Sequence, residues 1–136
     1  MNVDWIAIGS AAAASWLFGA AWYAAFACRW MAAAGITDFN EDSNHARPPV
    51  PALAVSLMAE FIMALILAGV IAHTAKKGVT VASGVLVGGI CWLGFVITSL
   101  ATNNVYLKTR LALTLIDGGH WLGVLLLQGA VLGALL

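Results

Sequence analysis

Four apolar runs, each long enough to cross a bilayer, dominate this sequence. They occupy about residues 5–27, 52–73, 79–102 and 111–135. A hydrocarbon core about 30 Å thick takes roughly 20 helical residues to cross. Because lipid offers the backbone no hydrogen-bond partner, a lone crossing segment must be helical. Composition agrees: 62% of the chain is hydrophobic and 9% charged, against about 45–50% and 25% in a soluble domain. The expected fold is therefore all-α, a four-transmembrane-helix bundle forming one membrane domain over residues 1–136.

The punctuation follows the same plan. Arg29 ends the first run, Arg47-Pro48-Pro49-Val50-Pro51 introduces the second, Lys76-Lys77-Gly78 closes it, and Lys108 and Arg110 separate the last two. No Lys or Arg precedes the first run, which is also too long for a signal-peptide core, so it is expected to stay in the mature protein. The connection over residues 29–51 is the long one. Trp30 to Gly35 can continue the first helix or lie in the interface. Asp38 with Glu41 three residues on resembles a capping box, which predicts a short amphipathic helix to about Ala46. Asp38, Glu41, Asp42 and His45 have no diagnostic ligand spacing and read as a solvated face; no metal site or cofactor is expected. Cys28 and Cys91 fall on different helices and predict no disulfide. Arg29, Arg47, Lys108 and Arg110 outnumber Lys76 and Lys77, which places connections one and three in the cytoplasm and both termini outside. Six basic residues balance six acidic ones, and nothing points to nucleic acid or an anionic surface as partner. The partner implied is the lipid bilayer.

Several polar residues interrupt this apolar pattern. At 1.5 Å per residue, Glu60 lies roughly 12 Å, Asp117 roughly 9 Å and His120 roughly 14 Å from the first-connection side. Ser99, Asn103 and Asn104 end the third helix there, and Tyr23 lies near the end of the first. A carboxylate at a helix centre costs about 2.5–3.5 kcal/mol, but the ten Leu, Ile, Val and Phe residues between Ala52 and His73 return about 0.3–0.6 each, so insertion survives Glu60. At 100° per residue, Asp117, His120, Val124 and Gln128 share one stripe. Glu60 shares a row with Ala52, Ser56, Ala64 and Ala68, which points it into the bundle. Glu60, Asn103, Asn104, Asp117, His120, Tyr23 and Ser99 are thus the candidate lining of a polar intramembrane pocket for a ligand or ion. No catalytic residue is assigned.

Gly119, Gly123, Gly129 and Gly133 mark the other face of the last helix. Gly84 and Gly88 mark the third and Gly19 the first, at spacings that let helices approach closely. One buried face per helix suffices for a four-helix bundle, so these glycines predict a spare packing surface and self-association, or docking on a larger membrane complex. Packing within one chain would use the same residues.

The order of Phe18-Gly19-Ala20-Ala21-Trp22-Tyr23, Trp30-Met31, Gly35-Ile36-Thr37, Trp92-Leu93-Gly94-Phe95 with Thr98, Asn103-Asn104, and Ile116 to His120 resembles the family called domain of unknown function 1761. That resemblance covers nearly the whole chain and implies a small integral protein of a bacterial cytoplasmic membrane, with no established activity. Ala24-Ala25 stand where the family tends to have Ser-Pro, Cys28-Arg29 near its Gly-Lys, and Asp117 where it often has Asn. Three functions remain open. The chain is a homo-oligomeric or accessory membrane component, a small transporter or channel for protons, a cation or a small polar solute using Glu60, Asp117 and His120, or a membrane enzyme acting on a lipophilic substrate.

Overall fold

A computed structural model describes residues 4–36, 50–75 and 78–136. Among them are four helices and no strand: α1 (Trp5–Ala34), α2 (Val50–Thr74), α3 (Val81–Tyr106) and α4 (Leu111–Leu135). All four are long and apolar enough to cross a membrane. The short helix expected near 38–46, with Asp38, Glu41, Asp42 and His45, and the pair Lys76–Lys77 lie outside the described residues.

Local chemistry explains the helix ends. Asp4 caps α1, its side chain accepting 3.0 Å bonds from the Ile6 and Ala7 N–H groups. That helix continues past Arg29 and Trp30 because nothing before Gly35 breaks it. There the backbone turns left-handed (φ 75°), and the Ile36 N–H closes on the Met31 carbonyl, as in a glycine-terminated helix. Pro51 sits in the first turn of α2, where a missing N–H costs nothing. Thr80 and Ser83 form a reciprocal capping box at the start of α3. Within α3 the turn Trp92–Val96 is π-helical, the Ile97 N–H reaching back to the Trp92 carbonyl. This widened turn is not visible in the sequence pattern.

Packing centres on α4, which contacts α1, α2 and α3; α1 also packs on α2, and α2 touches α3. The glycine surface expected to be spare is used here. A β-carbon at Gly84 would lie 2.0 Å from the Gly129 carbonyl oxygen, one at Gly88 2.4 Å from that of Leu125, and one at Gly133 2.4 Å from that of Thr80. These are main-chain contacts, so α3 and α4 meet backbone to backbone. On the other side of α4, Gly119 and Gly123 receive the rings of Trp22 and Phe18 from α1. The glycines seat neighbours within the chain.

Buried apolar side chains gather toward one end of the bundle. Ala7, Ile8, Ala11 and Ala12 of α1, Ala64, Leu67, Ala68 and Ile71 of α2, and Leu125 and Leu132 of α4 form the buried core. All belong to the half nearer the two termini. Of the buried polar side chains, Gln128 lies among them, between Leu125 and Leu132, while Ser15, Glu60 and His120 lie at their edge toward the first connection.

Candidate functional site

At mid-bundle three helices each contribute a buried polar side chain. Ser15 of α1 donates its hydroxyl to Glu60 Oε2 of α2 and also lies 3.1 Å from the Ala12 carbonyl. Gln128 of α4 donates through Nε2 at 3.0 Å to both Ser15 Oγ and the Glu60 main-chain carbonyl. Glu60 is only 3% exposed. An unpartnered carboxyl at such a place would be costly, and the Ser15 bond offsets part of that cost.

His120 adjoins this group. It is 4% exposed and faces a notch that Gly19 leaves open. The point where a Gly19 β-carbon would sit is 2.8 Å from His120 Nε2 and 3.7 Å from Glu60 Oε1. Any larger residue at 19 would therefore push into the imidazole. The His120 ring stacks with Phe18 and lies 4.7 Å from the Tyr23 ring and 4.8 Å from the Trp121 ring, centre to centre. Two buried polar atoms have no partner among the described residues, His120 Nδ1 and Gln128 Oε1.

Toward the first-connection end, Asp117 Oδ1 accepts 2.9 Å bonds from the Tyr23 hydroxyl and from Trp30 Nε1. Two more indoles hold the same stretch of α4, Trp22 to the Ile116 carbonyl at 3.2 Å and Trp92 to the Gly118 carbonyl at 2.8 Å. Tyr23 thus binds Asp117 with its hydroxyl and packs on His120 with its ring. Asp117 and Tyr23 are hydrogen-bonded, the Tyr23 ring packs on His120, His120 and Glu60 both border the Gly19 notch, and Glu60 is bonded to Ser15. These groups follow one another along the inside of the bundle as a polar path, without a hydrogen bond between His120 and its neighbours on it.

The remaining candidates lie apart from this path. Asn104 is buried, but its Nδ2 donates to Thr114 Oγ1 at 2.9 Å, a separate tie between α3 and α4. Ser99 and Asn103 are exposed on α3. Three participants went unread as site residues: Ser15, Trp30 and, as a bracket around Glu60, Gln128. Their signal was available, since Ser15, Gly19 and Tyr23 follow one another at four-residue steps and Trp30 lies seven residues further on the same face. Among the described residues no group of three His, Cys, Asp or Glu side chains is gathered as a metal site.

A family model described as a protein of unknown function, DUF1761, matches residues 6–133. The chain belongs to that family. The match spans all four helices, so every DUF1761 residue named in the polar path falls inside it. No curated protein matches the chain, and no solved structure does.

Proposed function

We propose that this DUF1761 protein is a small integral membrane protein that takes up and releases a proton, or a small cation in its place, at Glu60 and His120, as the binding step of transport. The observation carrying this reading is the shell around Glu60. Ser15 has one hydroxyl proton and two acceptors in reach, Glu60 Oε2 and the Ala12 carbonyl. With Glu60 ionised, the hydroxyl donates to the carboxylate. With Glu60 protonated, the acid proton goes to Ser15 Oγ and the hydroxyl turns to Ala12. Either state leaves the pair hydrogen-bonded, as a group that changes protonation within a membrane requires. His120, with an unpartnered ring nitrogen, supplies a second proton-accepting atom between Glu60 and the Tyr23–Asp117 pair. Access runs from the Asp117 end, because the apolar core closes the other half. Turnover then needs a rearrangement, which fits a carrier better than an open pore.

Purified protein reconstituted into liposomes with a trapped pH indicator tests the reading. Wild type should pass protons or a monovalent cation when a potential is imposed, and Glu60→Gln should abolish the flux while leaving the melting temperature close to wild type. Wild-type protein silent toward protons, sodium and potassium overturns it, as does undiminished flux in Glu60→Gln.

A second, structural reading draws on one specific observation. Gln128 ties Ser15 of α1 and the main chain of α2 to α4, so the cluster also braces three helices of an accessory membrane component. On that reading Glu60→Gln is silent in flux and Gln128→Ala weakens the bundle.

A further inference from the structure

Away from the polar path, α1 and α4 leave an open groove of about 410 Å³ between the end of one and the start of the other. Phe26, Ala33, Leu115 and Ile116 form its apolar wall, and Arg29 and Arg110 line it as well. Both arginines are exposed. The described carboxylates are engaged elsewhere: Asp4 caps the opposite end of α1, Glu60 is held by Ser15, and Asp117 accepts from Tyr23 and Trp30.

Depth sets what can occupy such a groove. At 1.5 Å per residue, the 30 residues of α1 exceed a hydrocarbon core of about 30 Å by several turns. The helix therefore carries Arg29 out to the headgroup level. Arg110 immediately precedes α4, and so reaches the same level on the same side. The apolar wall runs from there toward the bilayer interior. Two exposed arginines at that level, lining a greasy furrow, complement a molecule with an anionic phosphate at one end and a hydrocarbon chain at the other. Guanidinium binds phosphate through paired N–H donors, and the positive end of the α4 macrodipole adds charge of the same sign.

We propose that this groove is a binding site for one anionic phospholipid, its phosphate held by Arg29 and Arg110 and an acyl chain laid against Leu115, Ile116 and Phe26. The site is independent of the Glu60–His120 reading and stands or falls separately from it. A zwitterionic lipid, whose headgroup also presents a cation, binds it less well. The difference rests on two arginines, each worth roughly a fivefold change in affinity for an anionic surface.

The test uses the full chain, purified in neutral detergent and titrated with phosphatidylglycerol, phosphatidylcholine or inorganic phosphate. Bound lipid is counted by native mass spectrometry and stability followed by thermal melting. Wild type should retain one phosphatidylglycerol at least tenfold more tightly than phosphatidylcholine, and Arg29→Gln/Arg110→Gln should erase that preference. Leu115→Trp, which keeps both charges and fills an exposed part of the furrow, should also displace the lipid, and it serves if the double variant fails to fold. Equal retention of the two lipids overturns the proposal. So does a preference that survives in both variants, or stabilisation by inorganic phosphate equal to that by lipid, which would mark a free-anion site. A preference appearing only after Asp38→Asn/Glu41→Gln/Asp42→Asn overturns it as well, because the arginines would then belong to the chain's own first connection.

Discussion

Replacing Gly129 with alanine adds one methyl group where α3 and α4 meet. Its β-carbon would fall 2.3 Å from the Gly84 carbonyl oxygen and 2.7 Å from the carbonyl carbon. Ordinary contact begins near 3.4 Å, so something must give by about 1.1 Å. The obstacle is main chain, with no flexible side chain to swing aside, and relief requires the two helices to part along a seam that also contains Gly88 and Gly133. A gap of 0.5–1 Å forfeits about a quarter to a half of each atom pair's dispersion energy, and overpacking of this kind typically costs about 1–3 kcal/mol. Alanine's better helix propensity returns up to about 1 kcal/mol. The net expectation is a loss of about 1–2 kcal/mol, or a melting temperature lower by several degrees. Gly69→Ala provides the control, because nothing lies within 4 Å of its would-be β-carbon and the propensity gain stands alone. Thermal unfolding in detergent, followed by circular dichroism, should rank Gly69→Ala at or above wild type and Gly129→Ala below it. Gly129→Ala melting as high as Gly69→Ala would refute the backbone seam. If it instead lowered the mass of an assembly and left the protomer's melting unchanged, the glycines would be packing one copy against another.

Other outcomes follow from the polar path. Tyr23→Phe and Trp30→Phe each remove one donor from Asp117 and should destabilise by about 1–3 kcal/mol, with little additivity because both act on the same oxygen; chemical denaturation of the two variants and their double checks this. Gly19→Ala should leave α1 helical by circular dichroism yet displace the His120 imidazole, seen as a shift of its ring resonances and a fall in liposome flux. Asn104→Ala breaks the bond to Thr114 and should cost about 0.6 kcal/mol, the average for such interhelical bonds in membranes, measurable as a small drop in melting temperature with flux unaffected.

The spans were legible because solvent dictates them: a chain rich in Leu, Ala, Val and Gly has no other way to satisfy its backbone in lipid. Glu60, Asp117 and His120 were legible because ionisable groups stand out in such a chain. Their partners did not stand out, since Ser15 and Trp30 are ordinary residues of membrane helices whose meaning comes from the neighbouring helix. The glycine spacing announced close packing without naming the partner, and α4 proved able to use both of its faces inside the chain. Cancelling totals hid a local charge arrangement too: Arg29 and Arg110 are 81 positions apart in the sequence but line one groove.

Of the adjacent asparagines, Asn104 is buried and Asn103 exposed, and the widened turn at Trp92–Val96 bears on this. On an uninterrupted α-helix, Asn104 would sit about 160° around the axis from Gly88, pointing away from the helix that Gly88 touches. Absorbing one residue in a π-turn cuts that angle to about 60°, and Leu100 falls from about 120° to about 20° by the same reckoning. The turn acts as a phase corrector, keying two stretches of α3 to a single partner although their sequence registers disagree. Deleting one residue between Trp92 and Val96 would remove the residue that the turn absorbs, giving a regular helix with Gly88 and Asn104 still about 60° apart. Straightening the turn with every residue kept would instead set them about 160° apart, and either the Gly84–Gly88 stretch or the Asn104–Thr114 tie could then stay engaged with α4, but not both.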